Sequence, residues 1–89
     1  MLSVPAAKVR MVRVTTYGKA LEAIEQEAVL SVNNGNQVLV NAACASDTLP
    51  DTPGGPKAAV AAWAETLSHQ HGFVWKRVGL DVLFLKATV

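Results

Sequence analysis

Eight Lys or Arg against seven Asp or Glu in 89 residues leave a net charge of +1, which gives no overall pull toward nucleic acid or an anionic membrane. Apolar residues make up 51% of the chain and charged ones only 17%, which argues against disorder and leaves more apolar surface than charge to cover it. No window reaches the roughly 18 apolar residues of a membrane span, no basic start leads into a long apolar run, and the single Cys44 cannot form an internal disulfide; one domain over residues 1–89 in a reducing cytoplasm is the expectation.

Lys8 to Tyr17 reads as a first strand, because Val9, Met11, Val12, Val14, Thr15 and Thr16 supply β-branched and apolar bulk. Lys8, Arg10 and Arg13 keep at least one end of it wet, and Gly18 breaks it. The next segment, 19–27, is ambiguous. Ala20 to Gln26 are mostly strong helix formers, and Leu21, Ile24 and Ala28 fall at i, i+3 and i+7. The same residues also alternate loosely, so the choice lies between a helix of about two turns and a long strand.

Asn33-Asn34-Gly35-Asn36 lies between two apolar runs, Ala28 to Val32 and Gln37 to Cys44. An Asn-Gly pair in that setting predicts a β-hairpin, because a type I′ turn needs positive φ at both central residues. The register then opposes Val32 to Gln37 and Leu30 to Leu39, and neither resulting face is polar throughout.

Ser46 to Pro56 is a loop crowded with Pro, Gly and Asp. It leads into the chain's best helix signal, about 56–71. Pro56 suits the first helical position, Val60, Trp63, Ala64, Leu67 and His71 form one stripe, and Gly72 supplies a left-handed stop. The tail from Phe73 to Val89 is strand-like, with Gly79 marking a bend and Val82 to Leu85 fitting a central strand.

These elements predict a small α+β two-layer sandwich with a mainly antiparallel sheet. Its order is β-α-β-β-α-β, the ferredoxin-like order, or β-β-β-α-β if residues 19–27 are extended. The helices then cover one sheet face and leave the other open and partly apolar, which usually marks an interface. Burying about 400 Å² there is worth roughly 10 kcal/mol gross, before the cost of association.

No stretch carries a catalytic or metal-binding signature. His69 and His71 stand two apart and cannot chelate together on a helix. Cys44 reads as a buried small hydrophobe, and Asp47 and Asp51 as turn residues. Gly54-Gly55-Pro56-Lys57 lacks the full phosphate-loop pattern. The span from Glu27 to Leu67 resembles the end of a double-stranded-RNA-binding domain. Where that family carries a basic cluster, however, this chain reads Ala58-Ala59-Val60-Ala61, so no RNA-binding role carries over.

Arg10, Arg13, Trp75, Lys76 and Arg77 are the candidate partner-binding residues, clustering if the first and last strands are neighbours. The expected function is a small non-enzymatic protein-binding module, an inhibitor or adaptor of the general character of those encoded by phages and mobile elements. It needs no cofactor or metal and acts on a protein partner or as a homodimer. The alternatives are a nucleic-acid-binding domain using the same basic and aromatic residues, and a dimeric ligand binder or enzyme whose paired sheets enclose a pocket.

Overall fold

Asn34 and Gly35 end a helix; they do not turn a hairpin. In the computed structural model, which describes residues 10–86, helix α1 runs Leu21–Asn33. Its termination is a Schellman motif: the Gly35 N–H donates to Val32 O at 2.9 Å and the Asn36 N–H to Ser31 O at 2.9 Å. That motif needs one left-handed residue, and Gly35 takes φ 87°. The run Ala28 to Val32, expected as a strand, is therefore helical. Ile24, Ala28 and Val32 lie four residues apart on one face and are fully buried. Burying that stripe outweighs the β preference of Val29 and Val32, which is a matter of tenths of a kcal/mol per residue against about 1.5–3 for each large side chain buried.

Strand β1, Met11–Val14, precedes α1, and β2, Gln37–Asn41, follows it. The strand expected from Lys8 is shorter on the described side, and Lys8 and Val9 lie outside the described residues. β1 and β2 pair in parallel, Val12 beside Val38 and Val14 beside Val40, so α1 is the crossover of a β-α-β unit. Asn41 stops β2. Its side-chain oxygen accepts from the N–H groups of Ala43 and Cys44 and starts a five-residue helix, α2, Ala42–Ser46. Ala42 to Cys44, expected to continue a strand, are therefore helical.

The helix expected over 56–71 is present as α3, Gly55–His71, with Pro56 in its first turn and Gly72 at φ 72° as its stop. The tail divides at Gly79 into a hairpin of β3, Phe73–Val78, and β4, Asp81–Lys86. The strand order is β1-β2-β4-β3: β4 sits antiparallel between β2 and β3, while β1 and β3 form the two edges.

The fold is thus a small α+β two-layer arrangement with a mixed four-stranded sheet. The element order is β-α-β-α-α-β-β, which differs from both expected orders. The hairpin belongs to the last two strands, and two helices, α2 and α3, follow β2 in succession.

Both long helices cover the same sheet face. Val14, Val38, Val40, Val82, Phe84 and Phe73 share that face by register, and they form one cluster with Ile24, Ala28, Val32, Val60, Trp63, Ala64 and Leu67. Trp63 meets Phe84 edge-on with ring centroids 5.5 Å apart, and Phe73 meets Phe84 at 6.2 Å. Among the described residues, no helix is long and apolar enough to cross a membrane.

Candidate functional site

The strand register assigns every residue to a face. Opposite the helices lie Met11 and Arg13 on β1, Gln37 and Leu39 on β2, Leu83 and Leu85 on β4, and Val74, Lys76 and Val78 on β3. No described helix covers this face. Met11 is 56% exposed, Val74 46% and Val78 43%, whereas Leu83 at the centre is 7% exposed. An antiparallel sheet with one wet face normally alternates apolar and polar. Here the wet face carries an apolar residue on every strand.

Charge on this face is sparse and fixed at one point. Arg13 reaches diagonally across β2 to Asp81, guanidinium to carboxylate at 2.9 Å. A half-exposed pair of this kind is worth about 0–1 kcal/mol, so its role is to hold the arginine stem across the strand. Lys76 is exposed and opposes Leu83. Neither it nor Arg77 makes an ion pair among the described residues.

The five residues proposed as one surface do not come together. β1 and β3 are opposite edges, separated by β2 and β4, or roughly 14 Å at ordinary strand spacing. They also divide between faces. Arg13 and Lys76 lie on the helix-free face, while Trp75 and Arg77 alternate onto the helix-covered side. Trp75 packs against the core, and its Nε1 donates to Glu65 Oε2 at 3.0 Å. Arg77 lines a cleft of about 200 Å³ with Lys57 and Leu80. Arg10 is exposed just before β1, and its carbonyl accepts from the Gln37 N–H at 2.6 Å.

The sequence missed two features of the helix layer. One is a surface groove of about 580 Å³ along α1, lined by Glu22, Glu25, Gln26, Val29, Leu30 and His71. Reading α1 as ending at residue 27 put Val29 and Leu30 in a sheet and hid the groove. The other is the tie from Trp63 Nε1 to Glu25 Oε1 at 2.9 Å, a contact between distant segments that no local pattern announces.

Cys44 is buried, with its thiol donating to Thr16 O at 2.8 Å. Burial pushes the thiol up from its ordinary value, Asp47 adds to this, and Lys19 opposes it. Such a thiol is held protonated and unreactive. His69 and His71 are exposed, and His71 stacks on Phe73 with centroids 5.6 Å apart. No group of three or more potential metal ligands occurs among the described residues. Comparison with known proteins found no matching family model, no matching curated protein and no matching solved structure.

Proposed function

We propose that this chain is a small non-enzymatic protein-binding module that acts through the helix-free face of its sheet. The observation behind the reading is the set of apolar side chains Met11, Leu39, Leu83, Leu85, Val74 and Val78 on a face that no described helix covers, of which Met11, Val74 and Val78 are exposed, Leu39 and Leu85 are half-buried and Leu83 is buried. Contiguous apolar surface of this kind is a usual mark of an interface. Four strands about 4.8 Å apart and five residues at about 3.4 Å each give a field of roughly 320 Å² in projection, short of the ~800 Å² per partner of a standard interface. The footprint must therefore include the rim, which brings Arg13 and Lys76 into it.

The first occupant on this reading is a second copy of the chain, giving a homodimer. An inhibitor or adaptor role follows if a different protein competes for the same face. A nucleic-acid role is weaker, because the cations divide between two edges and two faces. A buried, protonated thiol suits a reducing cytoplasm.

Sedimentation at micromolar concentration, on the native chain and on Val74→Glu/Val78→Glu, tests the reading. Both positions are exposed, so the variant should fold and melt near the native temperature. A native dimer that becomes monomeric in the variant supports the proposal. A native monomer that binds neither an apolar dye nor any captured protein overturns it. Lys76→Ala should weaken binding and flatten its salt dependence, whereas Arg77→Ala, on the other layer, should do neither. A gel shift with nucleic acid that both lysine and arginine variants abolish would overturn the proposal in favour of a nucleic-acid-binding domain.

A further inference from the structure

The stop of α1 is built on an asparagine–glycine bond, and that bond has a chemistry of its own. Asn34 and Gly35 are both exposed, so water reaches them. Asn33, Asn36 and Asn41 are followed by Asn34, Gln37 and Ala42, whereas Asn34 is followed by glycine. An asparagine side chain is an electrophile for the backbone nitrogen that follows it, which is one source of the thermal lability of this residue. Glycine has no Cβ and gives that nitrogen the freest approach.

In the reaction the Gly35 nitrogen bonds to Asn34 Cγ and the Cγ–Nδ2 bond breaks. The proton of the Gly35 N–H goes to the departing nitrogen, which leaves as ammonia. Water then opens the succinimide ring at either carbonyl and leaves an aspartyl or an isoaspartyl residue. The sum is one side-chain amide and one water turned into one carboxylic acid and one ammonia, with no oxidant or reductant.

The fold holds the attacking nitrogen back. The Gly35 N–H donates to Val32 O at 2.9 Å, and the Asn36 N–H donates to Ser31 O at 2.9 Å. Asn34 sits at φ −84° and ψ 6° between the helix and its left-handed stop. Ring closure therefore requires the last turn of α1 to open first. That opening is local, because exposed hydrogen bonds at an element's end are the first to break.

We propose that Asn34 is a site of spontaneous deamidation in this chain, gated by opening of the α1 stop. The change is one-way and falls on the β1-α1-β2 crossover. A carboxylate at position 34 stands at the negative end of the α1 dipole, where it is unfavourable. The isoaspartyl form also adds a methylene to the main chain between the hydrogen bonds that end the helix, so the two cannot both keep their geometry. Val32, fully buried on that last turn, loses its anchor. The inference is independent of the sheet-face reading, since it concerns a covalent change read by mass.

Peptide mapping by mass spectrometry tests it on the full chain, incubated at mildly alkaline pH either folded or in guanidinium chloride. Conversion is expected at Asn34 ahead of Asn33, Asn36 and Asn41. It should run about fivefold slower in the folded chain, the factor set by one net backbone hydrogen bond. Gly35→Ala, compared in guanidinium chloride where folding plays no part, should lose most of the conversion. One new carboxylate takes the net charge from +1 to zero, so the converted chain separates by ion exchange. It should then unfold at a lower urea midpoint than the unconverted chain. Absence of conversion at Asn34 in the folded chain, faster conversion at another asparagine, or an unchanged rate in Gly35→Ala overturns the proposal. Equal rates in the folded and unfolded chains overturn the gating, and an unchanged midpoint overturns the loss of the helix stop.

Discussion

The indole N–H of Trp63 donates to Glu25 at 2.9 Å, which joins α3 to α1 across a gap of 38 residues in sequence. The ring of the same tryptophan meets Phe84 edge-on at 5.5 Å, so one side chain ties both helices to the central strand.

Trp63→Ala should cost about 3–5 kcal/mol, close to the whole stability of a domain this small. The hydrogen bond is separable by a double-mutant cycle with Trp63→Phe and Glu25→Ala, read by urea unfolding. A coupling of about 1–2 kcal/mol is expected, since the acceptor is a carboxylate. A coupling near zero would mean that the carboxylate prefers water to the indole.

Ser68 is 5% exposed and its Oγ has no hydrogen-bond partner among the described residues. An unpaired buried hydroxyl costs free energy, and alanine is the better helix former. Ser68→Ala should stabilise by about 1 kcal/mol and raise the Tm by about 4–8 °C. A lower Tm would show that the hydroxyl has a partner in solution.

Gly54 precedes α3 at φ 97°, and a Cβ there would stand 3.0 Å from the Ala58 Cβ. Gly54→Ala combines left-handed strain with a close contact to a helix residue that has little room to yield. A loss of about 1–2 kcal/mol is expected from the conformation alone, read from the urea midpoint at constant m value.

Cys44 sets a pH dependence whose sign follows from its burial. The unfolded thiol ionises near its ordinary value of 9.0, and burial raises the folded value above that. Below 9.0 both states hold the proton and the contribution to stability is complete. As the pH rises from there through the folded value, the unfolded state binds fewer protons and stability falls. Cys44→Ala should lose that alkaline fall, measured by urea unfolding between neutral and alkaline pH. At neutral pH the native thiol should alkylate far more slowly than in urea.

The long helix and the tail were legible because their signals are local. Pro56, the stripe through Val60, Trp63 and Leu67, and Gly72 each act within a few residues. The hairpin was misplaced because Asn34-Gly35 is ambiguous: a left-handed glycine serves a hairpin turn and a helix stop equally well. The deciding fact was the spacing of Ile24, Ala28 and Val32, which has meaning only if all three face one partner. That partner, the Val38 and Val40 face of β2, comes from the following segment. The apolar open face was anticipated, although its residues come from four strands and not from the expected hairpin. The separation of Arg13 from Lys76 was not legible, because strand order is a long-range property that no local pattern records.

Among the described residues β1 and β3 are the edge strands, and β3 carries the exposed cations Lys76 and Arg77, whereas the Arg13 guanidinium of β1 is turned inward to Asp81. Two copies meeting edge to edge at β3 would set these cations within a residue or two of one another, which opposes strand addition. An assembly that joins by its broad apolar side, by contrast, is complete after two members under twofold symmetry, because each uses up the face it offers to the other. If the chain pairs as proposed, the two cations on the β3 flank and the helix-free face beside it would favour closed pairs over growing fibres.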